Sequence, residues 1–179
     1  MPALESRIYA LIVDERRKLD PKAQFLSLDP ELVAVARKRS TEMALKNSFV
    51  GDDPHASATM LMAADAKFQG LIGENVAAQH FTPDAGIDVD AVAKRFVESW
   101  LASAPHKENL GFVNYDHTGV GAAANGDTIY VTQLFATDLG LPPHSDSAPP
   151  SQVEPVASPQ EGKDDNQKVP LRGDIAPGD

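Results

Sequence analysis

The stretch HTGVGAAANGDTIYVTQLFA, residues 117–136, decides the fold class because it has the pattern of two strands joined by a tight hairpin. Asn125-Gly126 separates the strands, and this dipeptide favours the positive φ values of a type I′ turn. The second strand, DTIYVTQLFA, carries bulky side chains on both of its alternating faces. A strand of this kind is covered on both sides. The hairpin therefore predicts a sheet that is buried on both faces.

Helical patterns fill the chain before the hairpin. The first helix follows apolar spacing from Leu4 and stops near Asp20-Pro21. A second begins at Asp29-Pro30, where the aspartate is a natural N-cap and the proline fits the first helical position. ATMLMAADAKF, residues 58–68, predicts a third, and a fourth runs from about Asp88 until Pro105 stops it. Helices followed by a doubly covered hairpin predict an α+β fold, a three-layer α-β-α sandwich.

Residues 140–179 differ in composition from the rest of the chain. They hold 8 of the 14 prolines and no aromatic residue, so they cannot bury enough apolar area to offset the entropy of ordering. We expect one folded domain over residues 1–139 and a disordered, Pro-rich, acidic tail over residues 140–179.

Charge and composition exclude several classes of function. The formal net charge of -10 argues against a nucleic-acid surface, because phosphate neutralisation needs clustered Lys and Arg. The absence of cysteine removes disulfides, thiolate nucleophiles and cysteine-ligated zinc. No run reaches the length of a transmembrane helix, and Glu5, Asp14 and Glu15 interrupt the segment where a secretory signal would be apolar. Either the protein is cytoplasmic, or a leader has been removed from an exported protein.

Five segments, in order, resemble the bacterial branch of the CAP superfamily, named for cysteine-rich secretory proteins, antigen 5 and pathogenesis-related proteins. They are the helix of residues 26–44, GENVA at 73–77, WLASAPHKENL at 100–110, GVG at 119–121 and QLF at 133–135. The resemblance covers nearly the whole predicted domain. It implies an α-β-α sandwich with a central cleft lined by a tetrad of His and Glu side chains, usually in an exported protein.

The resemblance also implies which residues line the cleft. Glu74 of GENVA matches a carboxylate of the tetrad, and His106 matches the histidine that follows the tryptophan. His55 lies where bacterial members have a histidine soon after the second helix. The second acid would follow Trp100 by three residues, and Ser103 stands there instead. The implied site is therefore a triad of His55, Glu74 and His106.

Two imidazoles and one carboxylate can supply three ligands to a divalent ion such as zinc and leave a position for water or substrate. Without a metal, the same groups could act as general acid and base. No activated nucleophile is readable, since no glycine-rich oxyanion turn accompanies the serines before His106. Lys107 replaces the family's usual arginine and keeps its charge without the planar fork. Glu98 and Glu108 remain possible replacements for the missing acid.

Each site residue also has a structural interpretation. His106 could cap the last carbonyls of the fourth helix. Glu74 and Asn75 could hold a turn after Gly73 by bonding backbone groups. His55 could be an exposed loop residue. These alternatives stay open on the sequence alone.

The other histidines and the hairpin glycines point to structural roles. His80 is expected on a loop, His117 at a strand start, and His144 in the tail. Gly119 and Gly121 are expected to permit close packing or a bulge.

The function expected from these features is that of an exported, non-enzymatic binding module. Its cleft of His55, Glu74 and His106 would hold a divalent cation and a small or lipid-like ligand, such as a cell-wall component. The alternative is a metal-assisted hydrolase, a peptidase or esterase, with Glu74 as general base. A third interpretation gives Glu74 and His106 structural roles alone.

Overall fold

The computed structural model describes residues 1–48, 56–64, 70–82, 86–137 and 171–172. Within these ranges the chain forms five helices and a five-stranded sheet of order β1-β3-β4-β2-β5. The helices are α1 (Pro2–Leu19), α2 (Pro30–Lys46), α3 (Ala56–Ala64), α4 (Val89–Ala102) and α5 (Ala104–Gly111). The strands are β1 (Ser27–Leu28), β2 (Ile72–His80), β3 (His117–Asn125), β4 (Thr128–Ala136) and β5 (Leu171–Arg172). No helix in these ranges has both the length and the hydropathy that a membrane crossing requires.

Helix α2 begins where the sequence predicts. The Asp29 carboxylate accepts hydrogen bonds from the backbone N–H groups of Glu31 at 2.7 Å and Leu32 at 2.9 Å. Pro30 occupies the first turn, where its missing N–H has no intrahelical partner. Asn47 ends the helix in the left-handed conformation with φ 47°. The Asp29-Pro30 pair in the sequence thus marks the residue at which α2 begins.

The predicted hairpin is present, but its turn differs from the prediction. β3 and β4 pair antiparallel down to Asn125↔Thr128, so the two turn residues are Gly126 and Asp127. Gly126 has φ 59°, whereas neither of its neighbours has a positive φ. One positive φ, at a glycine in the first central position, is the pattern of a type II′ turn. The prediction of type I′ is wrong.

The GENVA segment lies in strand β2, which pairs antiparallel with β4 along all nine of its residues. The first five residues of β2 are buried. The predicted turn after Gly73 is therefore wrong. Sequence periodicity misses this strand because Glu74 and Asn75, two residue types depleted in strands, lie side by side in a buried sheet.

The predicted fourth helix is present as α4, and a further helix that the sequence does not predict follows it. α4 ends at Ala102, Ser103 has an extended backbone, and α5 follows with Pro105 in its first turn. A proline fits there for the same reason as at the start of α2. Helical structure thus continues past Pro105, where the sequence predicts that it stops. His106 lies inside α5, so it does not occupy the cap of α4.

Helices cover both faces of the sheet, and this confirms the three-layer α-β-α sandwich. α1 and α4 pack on one face, in a core that contains Phe96 and Trp100. α2 and α3 pack on the other, with Leu32, Leu61 and Leu134. All nine residues of β4 are buried, as the doubly covered strand predicts. Full burial of a large apolar side chain such as Leu134 stabilises the folded state by about 1.5–3 kcal/mol.

Two glycines of β3 let α2 approach the sheet closely, as expected. A Cβ atom on Gly119 would lie 2.2 Å from the carbonyl carbon of Leu32, and one on Gly121 would lie 2.1 Å from the Arg37 nitrogen. These neighbours are backbone atoms, which cannot rotate away. The Ser40 hydroxyl donates to the Gly121 carbonyl at 2.9 Å and fixes the contact.

Two residues of the predicted tail are described. Leu171–Arg172 form β5, which pairs parallel with Ile72 and Gly73 of β2. The remainder of residues 140–179, and with it the prediction of disorder there, lies outside the described residues. The last part of the predicted third helix, residues 65–68, lies outside them as well.

Candidate functional site

Glu74 is fully buried in β2, and its carboxylate faces α2 and α3. The Ser57 hydroxyl on α3 donates a hydrogen bond to Glu74 Oε1. Arg39 Nε on α2 lies 3.7 Å from the same oxygen. Both partners are buried as well. An isolated charge in such a place would be strongly destabilising, so Ser57 and Arg39 help to keep the carboxylate there.

Asn75 faces the opposite side of β2, because side chains alternate along a strand. Its Nδ2 donates to the His106 carbonyl of α5 at 3.1 Å. Asn109, one turn further along α5, donates from Nδ2 to Asn75 Oδ1 and to the Glu74 carbonyl, each at 3.0 Å. These buried bonds hold α5 against β2 at the level of Glu74. Asn75 thus has a structural role, but it bonds the backbone of α5 rather than backbone groups of its own segment.

His106 is buried on α5, with 6% of its surface exposed. Its backbone is tied to β2 through Asn75, the neighbour of Glu74. The contacts described above for the Glu74 carboxylate lie on the other face, toward α2 and α3. A meeting of the two side chains therefore stays a prediction. His55, the third predicted member, lies outside the described residues.

A protein metal site needs several donors around one point. Within the described part of the chain, no group of three or more His, Cys, Asp or Glu side chains is arranged to hold a metal ion. The Glu74 carboxylate also accepts a bond from Ser57, and the nearby Arg39 cation opposes a second cation. The described residues alone do not fit a metal, so a zinc site would require His55.

Ser103, at the position of the missing tetrad acid, lies half-buried between α4 and α5. Glu98 and Glu108, the two possible replacements, are both exposed. Lys107 is exposed too. Neither glutamate therefore brings a second buried carboxylate to the vicinity of Glu74.

Arg16 is a buried residue whose role sequence reasoning misses. Its Nη1 donates to the carbonyls of Leu110 at 2.7 Å and Phe112 at 3.1 Å, and its Nη2 to those of Gln24 at 3.2 Å and Tyr115 at 3.0 Å. Burial lowers the pKa of the Arg16 guanidinium. This single side chain ties α1 to the end of α5 and to the segment that leads into β3.

Sequence reasoning also misses three buried residues that contact Glu74 or Asn75, namely Arg39, Ser57 and Asn109. Two of them have a sequence pattern that indicates a buried partner. Arg39 follows Ala36 by three residues on the buried stripe of α2, and a charge on a buried stripe requires a buried partner. Asn109 follows His106 by three residues and so shares its helical face. Ser57 carries no comparable signal.

The other histidines lie away from this network. His80 is the exposed last residue of β2, where its Nδ1 lies 3.4 Å from Asp127 Oδ1, so the loop placement is wrong. His117 is the first residue of β3, as expected, with Nδ1 2.8 Å from Asp116 Oδ1. His144 lies outside the described residues.

A surface cavity of about 340 Å³ lies beside α1. Arg17, Pro21 and Phe25 contribute to its lining, and Phe25 is 60% exposed. Neither Glu74 nor His106 lines it. The cavity is thus separate from the candidate site.

The sequence profile of the CAP family, described as the Cysteine-rich secretory protein family, matches residues 12–135. The chain belongs to the CAP family. The matched region contains α2, β2, α5 and the hairpin, and with them Glu74, His106 and Asn109. The family assignment made from five short segments is confirmed.

Known relatives agree with this assignment. "Uncharacterized protein YkwD" of Bacillus subtilis (strain 168) is 30% identical over 134 residues, which cover 74% of this chain and 47% of YkwD. The chain thus spans about half the length of this curated relative. An extracellular protein containing a SCP domain from Bacillus anthracis str. Ames is similar in structure, with 30% identity and a TM-score of 0.58. The match covers 75% of this chain and 40% of that one.

The fold extends to more distant CAP proteins. NaASP2, whose crystal structure was solved with Zn2+, matches with a TM-score of 0.53 and 12% identity. The match covers 75% of this chain and 80% of NaASP2. At this identity the likeness shows the fold alone.

Proposed function

We propose that this CAP domain is a non-enzymatic binding module of an exported protein. Its ligand site is formed by His55, Glu74 and His106, at the level of β2 where α5 packs. A divalent cation such as zinc is the first ligand, and a small or lipid-like molecule, such as a cell-wall component, is the second. The observation that carries the proposal is the buried coupling of β2 to α5, which holds the His106 backbone beside Asn75, the neighbour of Glu74.

The energetics of this region support a functional role. Glu74, Ser57, Arg39, Asn75 and Asn109 are buried together around one part of β2. Well-packed apolar side chains of similar volume often stabilise a fold as well as, or better than, a buried ion pair. Stability alone therefore gives little reason to keep this group, whereas a binding site needs polar atoms held in fixed positions.

The Glu74 contacts favour binding over catalysis. A general base must direct a free lone pair at the proton that it removes. One oxygen of Glu74 accepts the Ser57 hydroxyl and faces Arg39. This arrangement commits Oε1 to Ser57 and Arg39, and it supports the binding module over the hydrolase.

Relatives support two further parts of the proposal. The Bacillus anthracis relative is an extracellular protein, which favours export over the cytoplasmic alternative. The zinc in the NaASP2 structure makes zinc the cation to test first. The network around Glu74 supports such a site, and His55 would complete the donor set.

Titration calorimetry with zinc chloride tests the cation. The full chain is expected to bind about one equivalent, and His106→Ala is expected to abolish binding. His117→Ala is the matched control, because His117, the first residue of β3, pairs with Asp116 and is not among the described contacts of Glu74. Absence of saturable uptake would refute the cation, and equal loss in both variants would refute the assignment to His106.

Turnover assays separate the remaining interpretations. The hydrolase requires cleavage of a peptide or ester library that a chelator suppresses and that Glu74→Gln abolishes. A purely structural role predicts that Glu74→Gln lowers the melting temperature while zinc uptake stays unchanged. The binding module predicts no turnover and a loss of zinc uptake in the same variant.

A further inference from the structure

The backbone groups of β2 divide between its two edges. The Thr137 N–H donates to the Leu71 carbonyl at 3.1 Å, which places residue 71 on the edge that faces β4. Backbone groups alternate along a strand, so residues 73 and 75 face β4 as well. Ile72, Glu74 and Val76 direct their N–H and C=O groups to the outer edge, away from β4.

Side chains already cover part of this outer edge. Asn109 Nδ2 donates to the Glu74 carbonyl at 3.0 Å, and Trp100 Nε1 donates to the Val76 carbonyl at 3.3 Å. An uncovered strand edge invites pairing with other chains, and such caps prevent it. The caps leave a short stretch at Ile72 where the edge can accept another strand.

Strand β5 lies at this stretch. It pairs parallel with β2 in the register Ile72↔Leu171 and Gly73↔Arg172. In a parallel ladder of this register, the Arg172 N–H points at the Ile72 carbonyl and the Arg172 carbonyl points at the Glu74 N–H. Leu171 directs its own backbone groups away from β2.

The ladder is limited at both ends by chemistry that the chain itself supplies. Pro170 has no N–H to offer a carbonyl group that precedes β2. At the other end, Asn109 already occupies the Glu74 carbonyl that the next ladder bond would need. The open edge and the segment that fills it therefore agree in length.

We infer that the C-terminal segment at Leu171–Arg172 is the intramolecular occupant of the outer edge of β2, where it docks as a parallel strand directly beside Glu74. The covalent connection through residues 138–170 makes this docking an intramolecular event, which raises the effective concentration of the segment. Main-chain bonds supply the affinity, as in other cases of strand addition. The inference does not depend on any metal or ligand at the candidate site.

Amide hydrogen exchange, followed by NMR on the full chain, tests the inference. Arg172→Pro removes the N–H that points at β2, so the Ile72 and Glu74 amides are expected to exchange at least about tenfold faster. Leu171→Pro is the matched control, because its lost N–H points away from β2 and the edge should remain protected. The Gly73 and Asn75 amides face β4, and their unchanged exchange would show that the fold is intact.

Two results would overturn the inference. One is equal protection of Ile72 and Glu74 in the wild type, in Arg172→Pro and in a chain that ends at Lys168. The other is protection that rises with protein concentration, which would assign the edge to a segment from a second copy.

Discussion

Replacement of Gly121 by alanine should break the contact that seats α2 on the sheet. The added Cβ would lie 2.1 Å from the Arg37 nitrogen and 2.5 Å from the Ala36 carbonyl oxygen. Ordinary contacts of this kind are about 3.5 Å or longer, so the helix backbone must move outward by about 1 Å or more. α2 also carries Arg39, so the shift would reach the partner of Glu74.

The magnitude follows from three contributions. Overpacking against atoms that cannot rotate away costs about 3 kcal/mol. Loss of the bond from Ser40 to the Gly121 carbonyl costs about 1 kcal/mol. Alanine restricts the unfolded chain and returns about 0.5–1 kcal/mol. The free energy of unfolding should therefore fall by about 3 kcal/mol, which corresponds to a melting temperature about 10 °C lower.

Thermal and urea unfolding, followed by circular dichroism, measure this change. Gly111→Ala is the matched control, because a Cβ on Gly111 would meet nothing within 4 Å. That variant should be unchanged or more stable by up to about 1 kcal/mol, since alanine favours the helix. A Gly121→Ala protein that melts within about 2 °C of the wild type would refute the close seating of α2.

Two further predictions concern the buried polar residues. Asn109→Asp removes both N–H donors of Nδ2 and places a carboxylate against two oxygens. Urea unfolding should show that the free energy of unfolding falls by about 3 kcal/mol. The control Asn114→Asp changes an exposed residue and should cost less than about 0.5 kcal/mol. Arg16→Lys replaces a guanidinium group that bonds four carbonyls by one ammonium group. Thermal unfolding should show that the free energy of unfolding falls by about 2 kcal/mol. The control Arg17→Lys changes an exposed residue and should have almost no effect. Equal stability of either variant and its control would contradict the assigned bonds.

The features that sequence reasoning recovers are those with local causes. Asp29-Pro30 marks the start of α2 because a cap and a first-turn proline act within a few residues. Gly126 marks the hairpin because its positive φ is a property of the turn itself. The three-layer architecture is predicted from the sequence because a strand with bulky residues on both faces must have other elements packed against both.

The features that it misses depend on contacts between distant segments. α5 is short and weakly amphipathic, and its position is fixed by bonds to β2. Glu74 and Asn75 are disfavoured in strands, yet they lie in one because Ser57, Arg39 and Asn109 satisfy them. Spacing along the chain cannot reveal such partners.

The predicted triad shows the same difference between features with local causes and features that depend on contacts between distant segments. Its members were assigned by resemblance, and two of them, Glu74 and His106, are buried on elements that pack together. Their side-chain partners could not be inferred from spacing. In particular, Arg39 beside Glu74 changes the electrostatics of the site and is invisible in the local motif GENVA.

Long-range nitrogen–proton NMR spectra of the five imidazoles, recorded with and without one equivalent of zinc chloride, test the central claim most directly. Coordination shifts the resonance of the ring nitrogen that binds the metal, so each histidine reports its own state. The account predicts that His55 and His106 shift together while His80, His117 and His144 do not. Shifts confined to the latter three, or no shift at all, would contradict it.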